Sequence, residues 1–169
     1  MVRPQRLFLP AHPHHVIQRG HNHGPIFLDD EDRRQYLHHL AEVARESRVA
    51  VHAYALGEDR VHLLLTPQTA EAISRMMQAL GRRYVAAFNR RHGRSGTLWA
   101  GRFASHLVDE ASVLDCQCYL ESIVAPVGSE AESLAWTSAA HHLGSRHDPL
   151  VTPHRSEEHT SELQSHSFI

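Results

Sequence analysis

The stretch AYALGEDRVHLLLTP, Ala53 to Pro67, decides the fold. Its two apolar runs flank Gly57-Glu58-Asp59, which reads as a tight polar turn between two strands. The first strand runs from about Val49 to Leu56 and the second from Arg60 to Thr66. Strand residues two apart share a face. Val61, Leu63 and Leu65 are therefore expected in a core. Arg60, His62 and Leu64 point the other way, with His62 facing outward where a metal or a phosphate can meet it. The same alternation puts His52 and Tyr54 on one face, and hairpin pairing places His62 on that face too.

Outward from the hairpin, PHHVIQRG (Pro13 to Gly20) reads as a first strand. Gly24 and Pro25 mark a loop. Asp29 can cap a helix, with Asp32 three residues on in capping-box style. That helix runs to about Arg48, with Tyr36, Leu37, Leu40, Val43 and Ala44 on one face. After the hairpin a second helix spans about Glu71 to His92. Its apolar stripe is Ile73, Met76, Met77, Leu80, Tyr84, Ala87 and Phe88, where the methionines fill core. Gly93, Gly96 and Gly101 mark a flexible segment, and Phe103 to Val108 reads as a fourth strand. Asp109 or Ser112 begins a third helix, carrying Val113, Leu114 and Tyr119 and weakening before Pro126. Trp136 to Leu143 reads as a short helix. The order β-α-β-β-α-β-α predicts an α+β fold, a ferredoxin-like split βαβ antiparallel sheet with helices on one face. That fold hosts many functions and decides none of them.

The 169 residues suffice for one domain with a sizeable core. No apolar run approaches the ~18 residues of a membrane span. The basic N-terminus MVRPQRLFLPAHP is cut by Pro10 and Pro13, which argues against a signal peptide. Cys116 and Cys118 lie too close in sequence for an unstrained disulfide and read as reduced thiols of a cytoplasmic protein. The 17 histidines are scattered without ligand spacing, which excludes a metal-storage protein.

The net charge of −2 hides an asymmetry. Residues 72–108 contain no Asp or Glu but hold Arg75, Arg82, Arg83, Arg90, Arg91, Arg94 and Arg102. This block carries +7 and leaves −9 for the rest of the chain. It is interleaved with Tyr84, Phe88, Trp99 and Phe103. The pattern suits single-stranded nucleic acid, whose phosphates pair with arginine and whose bases stack on aromatics. Arg75, Arg82, Arg83, Arg90, Arg91, Arg94, Arg102, Tyr84 and Trp99 are the candidate nucleic-acid contacts; a solvated basic helix face is the plainer alternative. The absence of lysine reads as the codon bias of a GC-rich genome.

RSEEHTSELQSH, Arg155 to His166, reads as an in-frame translation of a sequencing adapter. It is polar, has no apolar period and cannot feed a core. Residues 1–154 are thus expected to form one domain, followed by a non-native, disordered tail over residues 155–169.

HHVIQRG, IFLDDEDRRQYL, HAYAL, VHLLLTP, SRMMQALGRRYVAAFNRRHGRSGTLWAGRF and LVTPH together resemble the REP-associated tyrosine transposases, members of the HUH single-tyrosine group. The resemblance runs from about Arg3 to His154. It implies a DNA strand transferase acting on single-stranded DNA with short hairpins. A divalent ion, Mg²⁺ or Mn²⁺, held by two strand histidines polarises the scissile phosphate, and a helix tyrosine attacks to form a 5′-phosphotyrosine. A tyrosine hydroxyl, with a pKa of ~10, is a poor nucleophile near neutral pH, and the metal charge compensates. The resemblance implies Tyr119 as the nucleophile and His62 as the second motif histidine. It is compatible with a monomer or a homodimer.

The chain departs from that pattern at Arg60, which stands where the first histidine should be. Arginine stays protonated and cannot ligate a metal. Ile123 stands one turn after Tyr119, where a polar residue is usual, and no Asn-Pro pair is recognisable in ESIVAPVGSE. Glu58, Asp59 and Glu121 are the candidate substitute ligands, because oxygen donors suit Mg²⁺ and Mn²⁺. Three functions stay open: a metal-dependent transposase with impaired chemistry, a non-catalytic relic that binds single-stranded nucleic acid, and a decayed mobile-element protein with no present function.

Overall fold

The structure, a computed structural model, describes residues 8–123 and 136–156. Four strands, β1 (His14–Arg19), β2 (Val49–Leu56), β3 (Arg60–Pro67) and β4 (Ala104–Leu107), form one sheet. The strand order is β2-β3-β1-β4, with every neighbouring pair antiparallel. This is the expected split βαβ: β3 lies between β1 and β2. Two long helices, α1 (Asp30–Ser47) and α2 (Ala72–His92), pack on one face of the sheet. Their apolar stripes meet Val16, Tyr54, Val61, Leu63 and Leu65 in the main core.

Local chemistry sets the boundaries. The Asp29 carboxylate accepts from Asp32 N at 3.0 Å and caps α1. The reciprocal bond differs from a capping box, since the Asp32 carboxylate accepts from Leu28 N instead of Asp29 N. Helix α1 ends at Arg48 in the left-handed conformation, φ 55°, and α2 ends at Gly93, φ 60°.

A third helix, α3 (Val113–Ile123), follows a 3₁₀ turn at Glu110–Ser112 and covers the opposite face of the sheet. Its Val113 and Leu120 pack on Ala53, Ala55 and Leu64. The small side chains of β2 let the helix approach closely. His62 therefore does not face outward, as alternation alone suggests; it is only 4% exposed.

The expected grouping of His52, Tyr54 and His62 also fails. Val51 pairs with Leu65 and Ala53 with Leu64, so His52 is an extra residue in a β-bulge. The bulge resets the alternation. Ala55 now lies opposite His62, and Tyr54 enters the main core with Leu63.

Residues 136–156 line the free edge of β2. Leu56 N donates to Trp136 O, Ser138 N to Tyr54 O, and Thr152 N to Val51 O. Trp136 and Thr137 are thus edge partners, and the expected short helix shrinks to Ala139–His142. Of the adapter-like tail only Arg155 and Ser156 are described; the run around Pro126 lies outside the described residues. No helix among the described residues is long and apolar enough to cross a membrane.

Candidate functional site

The hairpin turn and α3 meet in a cavity of about 360 Å³ lined by Gly57, Glu58, Asp59, Arg60, His62, Tyr119 and Ile123. Strand β3 supplies Arg60 and His62 from alternate positions. Helix α3 supplies Tyr119 and, one turn on, Ile123. Val113 and Leu120 anchor α3 to the sheet, which leaves Tyr119 57% exposed at the mouth.

His62 is the buried end of the cavity. Its Nδ1 lies 3.0 Å from Nε2 of His15 on β1, and the rings stack with centroids 5.2 Å apart. Its Nε2 is buried with no hydrogen-bond partner among the described residues. Burial first, then the neighbouring His15, Arg60 and Arg19, pushes its pKa down to about 4. His62 is therefore a neutral imidazole near neutral pH.

Arg60 is held by its neighbour. Its Nε donates to Asp59 Oδ1 at 3.1 Å and its Nη2 to Asp59 Oδ2 at 3.3 Å. The same guanidinium holds the Asp59 carboxyl below the usual carboxylate range.

The candidate substitute ligands divide. Glu58 is an exposed rim residue. Asp59 is engaged by Arg60. Glu121 is turned away from the cavity, because residues two apart on a helix point in different directions. It accepts from the Ser138 hydroxyl and meets His142 Nδ1 at 2.5 Å. The donors left beside Tyr119 are His62 Nε2 and Glu58, with the positive charges of Arg60 and Arg19 pressing on the imidazole. Ile123 offers no ligand atom. This set does not fit the divalent ion that the resemblance implies.

Among the described residues one other group could hold an ion. Donor atoms of Asp29, Asp32 and His92 lie within 4.8 Å of one another. Arg91 is already there, with two bonds to Asp29 at 2.5 and 2.6 Å and one to Asp32 at 2.8 Å. The group clamps the start of α1 to the end of α2, on the far side of the sheet from Tyr119.

The candidate nucleic-acid contacts fare unevenly. Tyr84 and Trp99 are core residues, 0% and 9% exposed, and cannot stack on bases. Tyr84 sits on the apolar stripe of α2, and its hydroxyl donates to Ile26 O. Arg83 pairs with Glu42 and Glu46 on α1. Arg91 is in the clamp, and Arg94 donates to Asn89 and Thr97 O. Arg75, Arg82, Arg90 and Arg102 are exposed, with no ion pair among the described residues. The α2 arginines lie across the sheet from the cavity. Sequence reasoning missed His15 and Arg19. Their signal was the alternation of His15, Ile17 and Arg19 along β1, which the register places beside Arg60 and His62.

The chain matches the family model described as "Transposase IS200 like" over residues 10–123. Among solved structures it is similar to a REP-associated tyrosine transposase bound to a REP hairpin, with a TM-score of 0.68 and 14% identity. That match covers 91% of this chain and 92% of the other. A second similar structure is a candidate transposase from Deinococcus radiodurans R1, with a TM-score of 0.49 and 23% identity, covering 71% of this chain and 96% of that one. No curated protein matches.

Proposed function

Because the chain belongs to the IS200-like transposase family, we propose that it is a single-tyrosine DNA transposase acting on single-stranded DNA that carries hairpins. The observation that carries this reading is the meeting of Tyr119, Arg60 and His62, from α3 and β3, in one cavity. A REP hairpin is the ligand of a solved transposase of the same fold. One chain brings all three side chains to the cavity.

In the proposed step the Tyr119 hydroxyl oxygen attacks the scissile phosphorus and loses its proton to solvent at the open mouth. The bond from phosphorus to the 3′-oxygen breaks, the leaving oxygen takes up a proton, and the 5′-phosphate stays on Tyr119. His62 is neutral and closes the buried end of the cavity. No step runs through a metal, since the donor set does not fit one.

The test is covalent trapping. Labelled single-stranded hairpin DNA incubated with the protein should give an adduct on a denaturing gel, and Tyr119→Phe should abolish it. Absence of the adduct with the wild-type chain would refute the nucleophile. A second reading has its own observation: Arg60 and Ile123 line the cavity where ligand atoms are expected. On that reading the protein grips single-stranded DNA without cutting it. A gel shift with no adduct would favour it.

A further inference from the structure

The groups that make the cavity beside Tyr119 poor for a cation make it good for an anion. A guanidinium presents five N–H donors in a planar fork. Asp59 takes only the Nε and Nη2 edge of Arg60. Nη1 makes no hydrogen bond among the described residues, and the side chain is 38% exposed where it lines the cavity. Asp59 thus fixes the orientation of the fork and leaves its other edge free.

Arg19 stands directly opposite Arg60 across the β1–β3 ladder. It has no acidic partner among the described residues, and its charge reaches His62. Among the described residues, Glu58 is the one cavity carboxylate without a hydrogen-bond or ion-pair partner. It sits exposed at the rim, where water screens it.

We propose that Arg60, braced by Asp59 and backed by Arg19, is the phosphate-binding group of this cavity, so that the DNA backbone is held there without a divalent ion. A phosphodiester presents two non-bridging oxygens that match the free edge of a guanidinium fork, as a point charge on lysine does not. This rests on the reading of the cavity as a DNA site and concerns only what holds the phosphate.

The experiment uses the full chain carrying Tyr119→Phe, which isolates binding from chemistry. Fluorescence anisotropy with a single-stranded hairpin oligonucleotide is measured against salt, once in EDTA and once in Mn²⁺. The expected Kd is the same within about twofold in both. Arg60→Ala should weaken binding in both media and flatten the slope of log K against log salt by about 0.7 to 0.9, one phosphate contact. Arg60→Lys should restore the slope but not the full affinity. Loss of binding in EDTA, several-fold tightening by Mn²⁺, or an unchanged slope in Arg60→Ala would overturn the proposal. The trapping test stays separate. Metal-independent binding by a wild-type chain that forms no adduct refutes the nucleophile and keeps this inference. An adduct formed by a chain whose binding is lost in EDTA does the reverse.

Discussion

Gly20 has no room for a side chain. A Cβ there would lie 2.3 Å from Gly24 O and 2.9 Å from Ile26 Cγ2. A backbone oxygen cannot retreat as a side chain can, so Gly20→Ala should cost about 1–3 kcal/mol. The check is a lower denaturation midpoint at unchanged m. Gly20 N also donates to Asp59 O at 2.8 Å, so the same variant should displace the turn that carries Arg60 and weaken DNA binding. At this scale the sequence was informative where the chemistry is local. Asp29 as a cap needs only its neighbours. Tyr84 was read two ways, as an apolar-stripe residue and as a base-stacking one, and burial favours the first. Trp99 sits in a glycine-rich segment with no periodicity, and its burial depends on α2 and β1, which no local window contains.

Each helix meets its environment through a few positions. Arg48 closes α1 at φ 55°, a conformation that strains any residue with a Cβ. Arg48→Gly should therefore stabilise the protein by about 1 kcal/mol, seen as a rise in Tm of a few degrees. Helix α3 rests on Ala53 and Ala55. Ala55→Leu should push it off the sheet and carry Tyr119 out of register with His62. The expected outcome is loss of the adduct with far-UV circular dichroism largely retained. The helices, strands and their order were legible because apolar period and turn residues encode them locally. The side of the sheet that α3 takes was not, since only the pairing of small β2 residues with α3 decides it. The bulge at His52 has no glycine to announce it.

At the scale of the whole molecule, burial lowers the pKa values of His14, His15, His39, His52 and His62. The unfolded chain binds protons near pH 6.5 that the folded chain refuses, so stability is full above that pH and falls as pH drops from 6.5 toward 4. His62 alone, shifted from 6.5 to about 4, accounts for about 3 kcal/mol of that loss. Asp29 and Asp59, held low by Arg91 and Arg60, withdraw their stabilisation only below about pH 4. Tm measured from pH 7 to 4 should decline throughout, with a shallower decline in His62→Gln. The far end of the chain matters for a different reason. Residues 136–156 satisfy the free edge of β2, and an uncovered edge invites pairing with another chain. A chain ending at residue 135 should elute as aggregates on size exclusion. The basic block was visible as charge. Its partition into clamps on α1 and free cations on α2 was not, because ion pairing across helices leaves no mark in a composition count.

A strand ordinarily has no dispensable residue, because losing one moves every later side chain to the wrong face. β2 has one. Eight residues there oppose seven on β3, and the surplus is His52. Deleting it would join Val51 to Ala53 with their partners Leu65 and Leu64 already adjacent. The pairing with β3 on both sides would survive, while the bonds from His52 to Thr66 and Thr152 and its ring contact with His154 would go. Deleting Ala53 instead would force a slip. The hairpin thus tolerates a one-codon loss at a single site, and a gap aligned at that site marks a repaired pleat.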